Sequence, residues 1–298
     1  MRIAVTGSSG LVGSALVSFL MAEGDEVIRL VRTSPTGGDV QWDPALGVKD
    51  LRRLEGVDAV VHLAGENIAA GRWTAQRKDA IRRSRVEGTR QLCESLGRLS
   101  RRPKVLISAS AIGYYGDRGN EIVTEGSSPG KDFLAQVCRE WEAATEPASR
   151  AGIRVIHLRF GMILSPVGGA LQKMLVPFRL GAGGRMGSGA QYVSWIAIDD
   201  AIGAIHHAVC TESLEGAVNA VAPTPVPNAE FTRILARVLS RPAVLPMPTV
   251  AARLVFGEMA DALLLASARV MPRRLQASAY RFRYPELEGA LRHLLGHS

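Results

Sequence analysis

The sequence predicts an α/β fold built on a doubly wound, mainly parallel sheet, with a smaller, mostly helical lobe at its C-terminal end. Three observations carry this. β-Branched apolar runs alternate with helical stretches over the first 160 residues, a glycine-rich turn follows the first run at residue 7, and glycine and proline clusters dominate after Gly161. Continuous Val, Ile and Leu runs suit strands buried on both faces, and right-handed crossovers between them stack helices on either side of the sheet.

In chain order, strands are expected over 2–6, 26–32, 58–64, 104–110 and 154–160, with helices over about 11–23, 74–99 and 131–150. Beyond residue 160 come a glycine-rich loop at 181–189 and proline clusters at 223–227 and 242–248. Two stretches, 193–198 and 217–221, read as strands returning to the main sheet. Helices follow near 199–210, 228–239, 249–270 and 286–295. The expected division is a nucleotide-binding domain over 1–222 and a helical domain over 223–298 that contributes to the substrate side.

Composition narrows the function. With 298 residues, 47% hydrophobic and 21% charged, the chain can bury one large core and is neither disordered nor collagen-like. No apolar run reaches the 18 to 20 or so residues of a membrane span, and Met1 to Gly7 leads straight into strand and turn, so a cytoplasmic protein is expected. The net charge of +8 comes from only five lysines, the other thirty-one cations being arginines in scattered pairs such as Arg52-Arg53, Arg101-Arg102 and Arg273-Arg274. No nucleic-acid-binding motif accompanies them, so neither nucleic acid nor membrane is an expected partner. Cys93, Cys138 and Cys210 stand alone, without metal-ligand spacing.

The turn Thr6-Gly7-Ser8-Ser9-Gly10-Leu11-Val12-Gly13 sets glycines in the spacing GxxGxxG between a strand and a helix. One glycine allows the tight turn, one lets backbone amides approach a diphosphate, and one lets helix and strand pack closely, with the helix N-terminus facing the anion. This is a Rossmann-type dinucleotide site, with Gly7, Gly10, Leu11, Val12 and Gly13 against the cofactor. Cofactor choice is read at the end of the second strand, where an acid would accept hydrogen bonds from a ribose 2′-hydroxyl. Arg32 stands there instead. A guanidinium pairs with a 2′-phosphate, so NADP(H) is the expected cofactor.

Further residues resemble the extended short-chain dehydrogenase/reductases. His62-Leu63-Ala64-Gly65 resembles their HLAA segment, Arg85-Val86-Glu87-Gly88-Thr89-Arg90-Gln91-Leu92 their NVxGTxNL helix, and the run from Ser108 to Gly116 their SSSxxVYG strand end. Ala64-Gly65-Glu66-Asn67-Ile68, Arg72-Trp73, Gly113-Tyr114-Tyr115-Gly116, Ser194-Trp195-Ile196 and the tail motif Phe282-Arg283-Tyr284-Pro285-Glu286-Leu287 are similar to an atypical branch, the epimerase-family proteins with a C-terminal domain of unknown function. The resemblance implies that Leu63, Ala64, Gly65, Arg85 and Ser108 line the cofactor, that the substrate is a small molecule, and that the chain can form a homodimer.

In that superfamily a Tyr and a Lys four residues later work beside a Ser, the lysine easing the tyrosine's proton transfer while nicotinamide moves a hydride. Ser110 is the serine candidate, although counting back from Tyr115-Gly116 aligns Ala111 unless the loop holds one inserted residue. No YxxxK follows. Aligning Glu142 with the acid that often follows the motif puts Leu134 and Cys138 in the two places. Tyr114 and Tyr115 are the substitute proton donors, and Glu66 and Asn67 are alternatives. His62 reads as a strand-end residue on the adenosine side.

For the substrate, Glu66, Arg185 in the glycine-rich loop and Trp195 are the candidates, as polar partner, anion partner and flat wall. Two functions fit: an NADP(H)-dependent, epimerase-like oxidoreductase acting on a sugar-like or phosphorylated molecule, and a non-catalytic NADP(H)-responsive regulatory or interaction protein.

Overall fold

In the computed structural model, which describes residues 1–33 and 35–297, the strands are β1 (Arg2–Thr6), β2 (Glu26–Val31), β3 (Val40–Asp43), β4 (Gly47–Val48), β5 (Ala59–His62), β6 (Val105–Ala111), β7 (Ile122–Val123), β8 (Arg154–Phe160), β9 (Met162–Leu164), β10 (Tyr192–Val193), β11 (Trp195–Ala197), β12 (Gly216–Ala220), β13 (Val226–Pro227) and β14 (Arg269–Val270). The helices are α1 (Leu11–Ala22), α2 (Ala75–Gly97), α3 (Phe133–Ala143), α4 (Glu146–Arg150), α5 (Gly169–Arg179), α6 (Ile198–Cys210), α7 (Asn228–Leu239), α8 (Thr249–Phe256), α9 (Arg273–Ala277) and α10 (Leu287–Leu295).

Eight strands form the main sheet in the order β12-β8-β6-β5-β1-β2-β3-β4, parallel except for the last pair. From β1 the chain winds outward through β2 and β3, then returns beside β1 as β5 and winds the other way. The reversal lies between β1 and β5, and their carboxyl ends open the crevice where such sheets bind ligands.

The doubly wound sheet and its strands stand close to where the sequence puts them, with four informative differences. Val40–Asp43 adds a strand whose Val40 and Trp42 are buried while Gln41 and Asp43 are not, a period-two pattern too short to stand out. The stretch at 193–198 does not rejoin the main sheet: Trp195–Ala197 pairs with Met162–Leu164 in a separate ribbon, whereas Gly216–Ala220 does become the sheet's edge. The expected helix over 131–150 breaks between Ala143 and Glu146, with Pro147 opening the second piece. The expected helix over 249–270 ends at Gly257, whose φ of +62° suits glycine, and resumes as a π-turn over Ala260–Leu265. The core of the small lobe draws on both sides of residue 222, joining Leu164, Leu175, Phe178 and Trp195 to Phe231, Leu235 and Leu291.

Asp200, fully buried at the start of α6, ties the tail to the sheet domain. Its carboxylate accepts the backbone N–H groups of Arg283 (2.7 Å) and Tyr284 (2.9 Å).

A second buried polar group sets the crevice floor. Thr6 Oγ1 accepts from the backbone N–H groups of Leu63 (3.1 Å) and Ala64 (3.2 Å), which fills its two lone pairs. Its proton therefore goes to His62 Nδ1, 2.7 Å away. A neutral ring that accepts at Nδ1 carries its hydrogen on Nε2, which donates to Thr89 Oγ1 at 2.9 Å, and Thr89 also accepts from Trp141 Nε1 at 2.9 Å. Burial pulls the His62 pKa down to about 4, so the ring stays neutral. Hydrogen-bond inventory thus fixes one tautomer and locks β1, β5, α2 and α3 together at the strand ends.

That neutrality predicts a pH dependence. Between about pH 6.5 and 4 the unfolded chain takes up a proton that the folded chain refuses, so this contribution is complete above pH 6.5 and declines as pH falls, by about 1.4 kcal/mol per unit. Gln at position 62 offers a neutral donor and acceptor. Urea unfolding at pH 7, 6 and 5 is expected to show wild-type stability falling more steeply than that of His62→Gln, with parallel curves as the contrary result.

Candidate active site

Gly7, with φ +68°, lies so close to β5 that a Cβ there would meet Ala64 N and the Leu63 carbonyl carbon at 2.8 Å. A Cβ on Gly13 would meet Gly7 O at 2.1 Å, and Gly10 N donates to Gly7 O at 2.9 Å. Each glycine has the steric reason its spacing suggests. Gly10 N-caps α1 without a side-chain bond, and the first turn holds no acid, so the amides of Leu11, Val12 and Gly13 face the crevice uncapped. The Leu11 side chain turns aside to pack on Gly168.

Arg32 lies just past the end of β2, exposed, and among the described residues its guanidinium meets no carboxylate. A nearby acid, Asp39, is turned inward and held by Arg29 Nε at 2.8 Å and Nη2 at 3.1 Å and by Thr36. The cation at the strand end is thus unopposed, and the glycine cradle beside it fits a dinucleotide diphosphate.

The loop after β5 is fastened to α2. Ser84 Oγ accepts Glu66 N at 3.1 Å, and Arg85 Nη1 donates to Glu66 O at 3.0 Å. Arg77 pairs with the Glu66 carboxylate at 2.8 Å and also donates to Asn67 O. Glu66 is therefore half of an ion pair that shapes the loop. Gly65 remains exposed at its tip.

At the carboxyl end of β6 a second network meets the crevice. Ser110 Oγ donates to Glu142 Oε1 at 2.7 Å, and Arg159 grips the same carboxylate with two bonds of 2.8 Å. Arg159 Nη1 donates to the Tyr115 hydroxyl at 3.0 Å, which donates in turn to Asn219 Oδ1 at 2.7 Å. Burial opposes the Arg159 charge, but Glu142 outweighs it and holds the guanidinium protonated; burial also pushes the Tyr115 phenol up. Tyr114 lies half-buried with its ring centroid 3.5 Å from the Arg159 guanidinium carbon, and its hydroxyl makes no hydrogen bond among the described residues.

Several sequence expectations change here. Ser108 is wholly enclosed within β6, its hydroxyl reaching only Ala109 O at 3.4 Å, so it does not line the cofactor crevice. Tyr115 is 0% exposed and Ser110 3%, with both hydroxyls committed to the network. Trp195 is also 0% exposed, its indole donating to Thr224 O, so it backs the small lobe's core and is no pocket wall. Arg185 faces a separate cavity of about 360 Å³ lined by Ala229, Thr232, Arg233, Ala236, Val244 and Pro246, none of them from the sheet crevice. His62 ends β5, as expected, but is wholly buried and acts as an interior hub between Thr6 and Thr89. Leu134 and Cys138 do occupy one face of α3: a Cβ on Gly113 would lie 3.3 Å from Leu134 Cβ and 3.9 Å from Cys138 Sγ, and burial pushes the Cys138 thiol up to about 12.

Sequence reasoning passed over Thr6, Thr89, Glu142 as a network member, Arg159 and Asn219. Arg159 had a legible signal, since a cation inside a strand buried on both faces needs a partner.

Comparison with known proteins agrees with this geometry. The family model for the NAD dependent epimerase/dehydratase family matches residues 3–220, and the domain of unknown function DUF1731 matches 247–294. The chain is 43% identical over 290 residues to epimerase family protein Mb2239 of Mycobacterium bovis, covering 97% of this chain and 96% of that one. It is 36% identical over 298 residues to epimerase family protein SDR39U1 of Homo sapiens, covering 99% and 100%. Among solved structures it is similar to human epimerase family protein SDR39U1 (isoform 2) with NADPH, at TM-score 0.92 and 35% identity over the full length of both chains. It is also similar to the nucleoside-diphosphate sugar epimerase from Corynebacterium glutamicum, at TM-score 0.84 and 42% identity over 99% of this chain and 58% of that one. With its glycine cradle, its loop after β5 and these whole-length likenesses, the chain belongs to the NAD dependent epimerase/dehydratase family, in the branch that carries the C-terminal domain of unknown function.

Proposed function

We propose that the crevice binds NADP(H) in preference to NAD(H), and that the chain is an oxidoreductase of this family in which Tyr114 takes the place of the missing tyrosine–lysine pair. The observation that carries the cofactor reading is the unopposed Arg32, a cation at the strand end where an acid would serve a 2′-hydroxyl. Gly7, Gly10 and Gly13 leave room for a diphosphate, and the uncapped amides of Leu11, Val12 and Gly13 supply its donors. Leu63, Ala64 and Gly65 form the wall on the β5 side. The human relative crystallised with NADPH supports the same assignment.

When bound, the nicotinamide supplies or accepts a hydride. This chain's part is to place a proton donor at the end of β6. Ser110 and Tyr115 are occupied by Glu142, Arg159 and Asn219, and the arrangement leaves Tyr114 with a free hydroxyl on a turn fixed from behind. A small molecule reduced at a carbonyl needs such a donor within hydrogen-bond reach. One observation favours the non-catalytic alternative: Leu134 and Cys138 fill the face of α3 from which the pair would act.

A titration with NADPH, NADH, NADP and NAD, followed by nicotinamide fluorescence and thermal shift, tests the cofactor. NADPH is expected to bind tightest, with Arg32→Asp weakening it about 10- to 100-fold, the scale of one or two charge-assisted hydrogen bonds, and leaving NADH little changed. Equal loss for both nucleotides would refute the 2′-phosphate reading. With a substrate found by following NADPH absorbance, Tyr114→Phe is expected to lower kcat about 100-fold or more without altering NADPH affinity or melting temperature. Glu142→Ala behaves differently: it strands Arg159 in the interior and should cost about 3–5 kcal/mol of stability, read by urea unfolding.

A further inference from the structure

We propose that Arg85 binds an oxyanion of the substrate, a carboxylate or a phosphate group, at the β5 end of the crevice. This rests on the reading that the same crevice holds NADP(H), and it narrows the substrate to an acid.

Charge pairing along α2 is uneven. Six cations lie on this helix, and four have a carboxylate: Arg77 with Glu66 (2.8 Å), Lys78 with Glu258 (2.7 Å), Arg82 with Glu140, and Arg83 with Asp79 (2.8 Å). Arg90 is exposed, where water suffices. Arg85 is half-buried, and among the described residues no carboxylate lies within 4.0 Å of it.

Its partners are dipoles. Nη1 donates to Glu66 O at 3.0 Å and Ile81 O at 3.2 Å, and the guanidinium carbon lies 5.1 Å from the Trp141 ring centroid. These orient the group without neutralising it. Three of its five N–H hydrogens, on Nε and Nη2, find no acceptor among the described residues. A cation drawn out of water with no carboxylate in contact is costly, and burial lowers the pKa of this arginine even with the Glu66 charge further off. The group is also held rigidly, so it is ready for a bidentate partner.

Access comes from the crevice. The exposed Gly65 lies against the guanidinium, a Cβ there falling 3.5 Å from its carbon, and glycine keeps that approach clear. The cofactor's own anionic groups have other partners, the diphosphate at the start of α1 and the 2′-phosphate at Arg32. Arg77 and Lys78, the other cations at the start of α2, are already neutralised. Arg85 is left as a positive charge with no contacting carboxylate among the described residues, beside the reacting end of the crevice, which suits an acidic reactant.

The test uses NADPH-saturated protein titrated with inorganic phosphate and with malonate, against chloride at matched ionic strength, read by thermal shift. Wild type and Arg185→Gln are expected to respond alike to at least one oxyanion. Arg85→Gln should retain NADPH and weaken that response at least tenfold in apparent Kd. Arg85→Lys, which keeps the charge but loses the fork, should fall between and carries the test if Arg85→Gln fails to fold. A stronger response to phosphate assigns a phosphorylated substrate, and a stronger response to malonate a carboxylate. An unchanged response in the Arg85 variants, or none beyond chloride, overturns the proposal. So does a response seen only without NADPH and abolished by it, which would make Arg85 a ligand of the cofactor. Absence of NADPH binding by wild type is a separate result that overturns the cofactor reading, and the direct NADPH titration distinguishes it.

Discussion

The crevice depends on one hydroxyl. Thr6 Oγ1 accepts two backbone N–H groups from the first residues beyond β5, so the two strand ends on either side of the topological reversal are joined through a side chain where the sheet's own ladder stops. Leu63 N also reaches the Thr6 carbonyl at 3.4 Å, whereas Ala64 N has no other acceptor among the described residues, and an N–H left unpaired away from water costs about 1–3 kcal/mol. Because both lone pairs are filled, the Thr6 proton is committed to His62, and the histidine's remaining hydrogen to Thr89. The tautomer follows from counting donors. Gly7 must then pass so near Leu63 and Ala64 that no side chain fits, which is the contact that brings the glycine turn and the β5 loop into one site.

The second network explains what became of the missing pair. In the family pattern a tyrosine and a lysine reach inward from one helix face; here that face of α3 presents Leu134, Cys138 and, one turn on, Glu142. The carboxylate holds Ser110 and Arg159 together, and Arg159 spans to Tyr115 and lies flat on Tyr114. A buried ion pair of this kind contributes little net stability against an apolar replacement, but it fixes geometry, since neither partner can leave alone without stranding a charge. The turn at 112–115 is therefore braced by charge where the usual arrangement would supply a proton relay. On the proposed reading, chemistry at the end of β6 relies on Tyr114, which this network positions and does not occupy.

How much of this could be read from the sequence depended on range. The strand–turn–helix at residues 2–22, the alternation that gives the parallel sheet and the cation at position 32 are local patterns, and each stands where the residues suggest. Ser108 and Trp195 depart from the sequence expectation for a different reason. A serine or tryptophan near a strand end lines a site or fills a core according to which face its register presents, and that is decided by partners far along the chain, as when β11 pairs with β9 and not with the main sheet. Gly257 ended a helix that apolar periodicity alone would carry on to residue 270. Glu142 and Arg159 are 17 residues apart in sequence and meet only across the α3–β8 layer, so no spacing rule exposes them. The oddity of an arginine within Val155-Ile156-His157-Leu158-Arg159-Phe160 was the one trace available.

The same counting of partners separates the two ends of the crevice. At the β2 end Asp39 is held by Arg29 and Thr36, and Arg32 is left without a carboxylate partner among the described residues. At the β5 end it spends Glu66 on Arg77 and leaves Arg85 with carbonyls and a ring. Between them lie the glycines of the turn and the uncapped amides at the start of α1, whose first turn carries no acid. A ligand that satisfies all three regions carries negative charge at both ends and in the middle. On the proposed reading an NADP(H) dinucleotide accounts for the β2 end and the stretch between, and the β5 end is left for whatever the nicotinamide is set against.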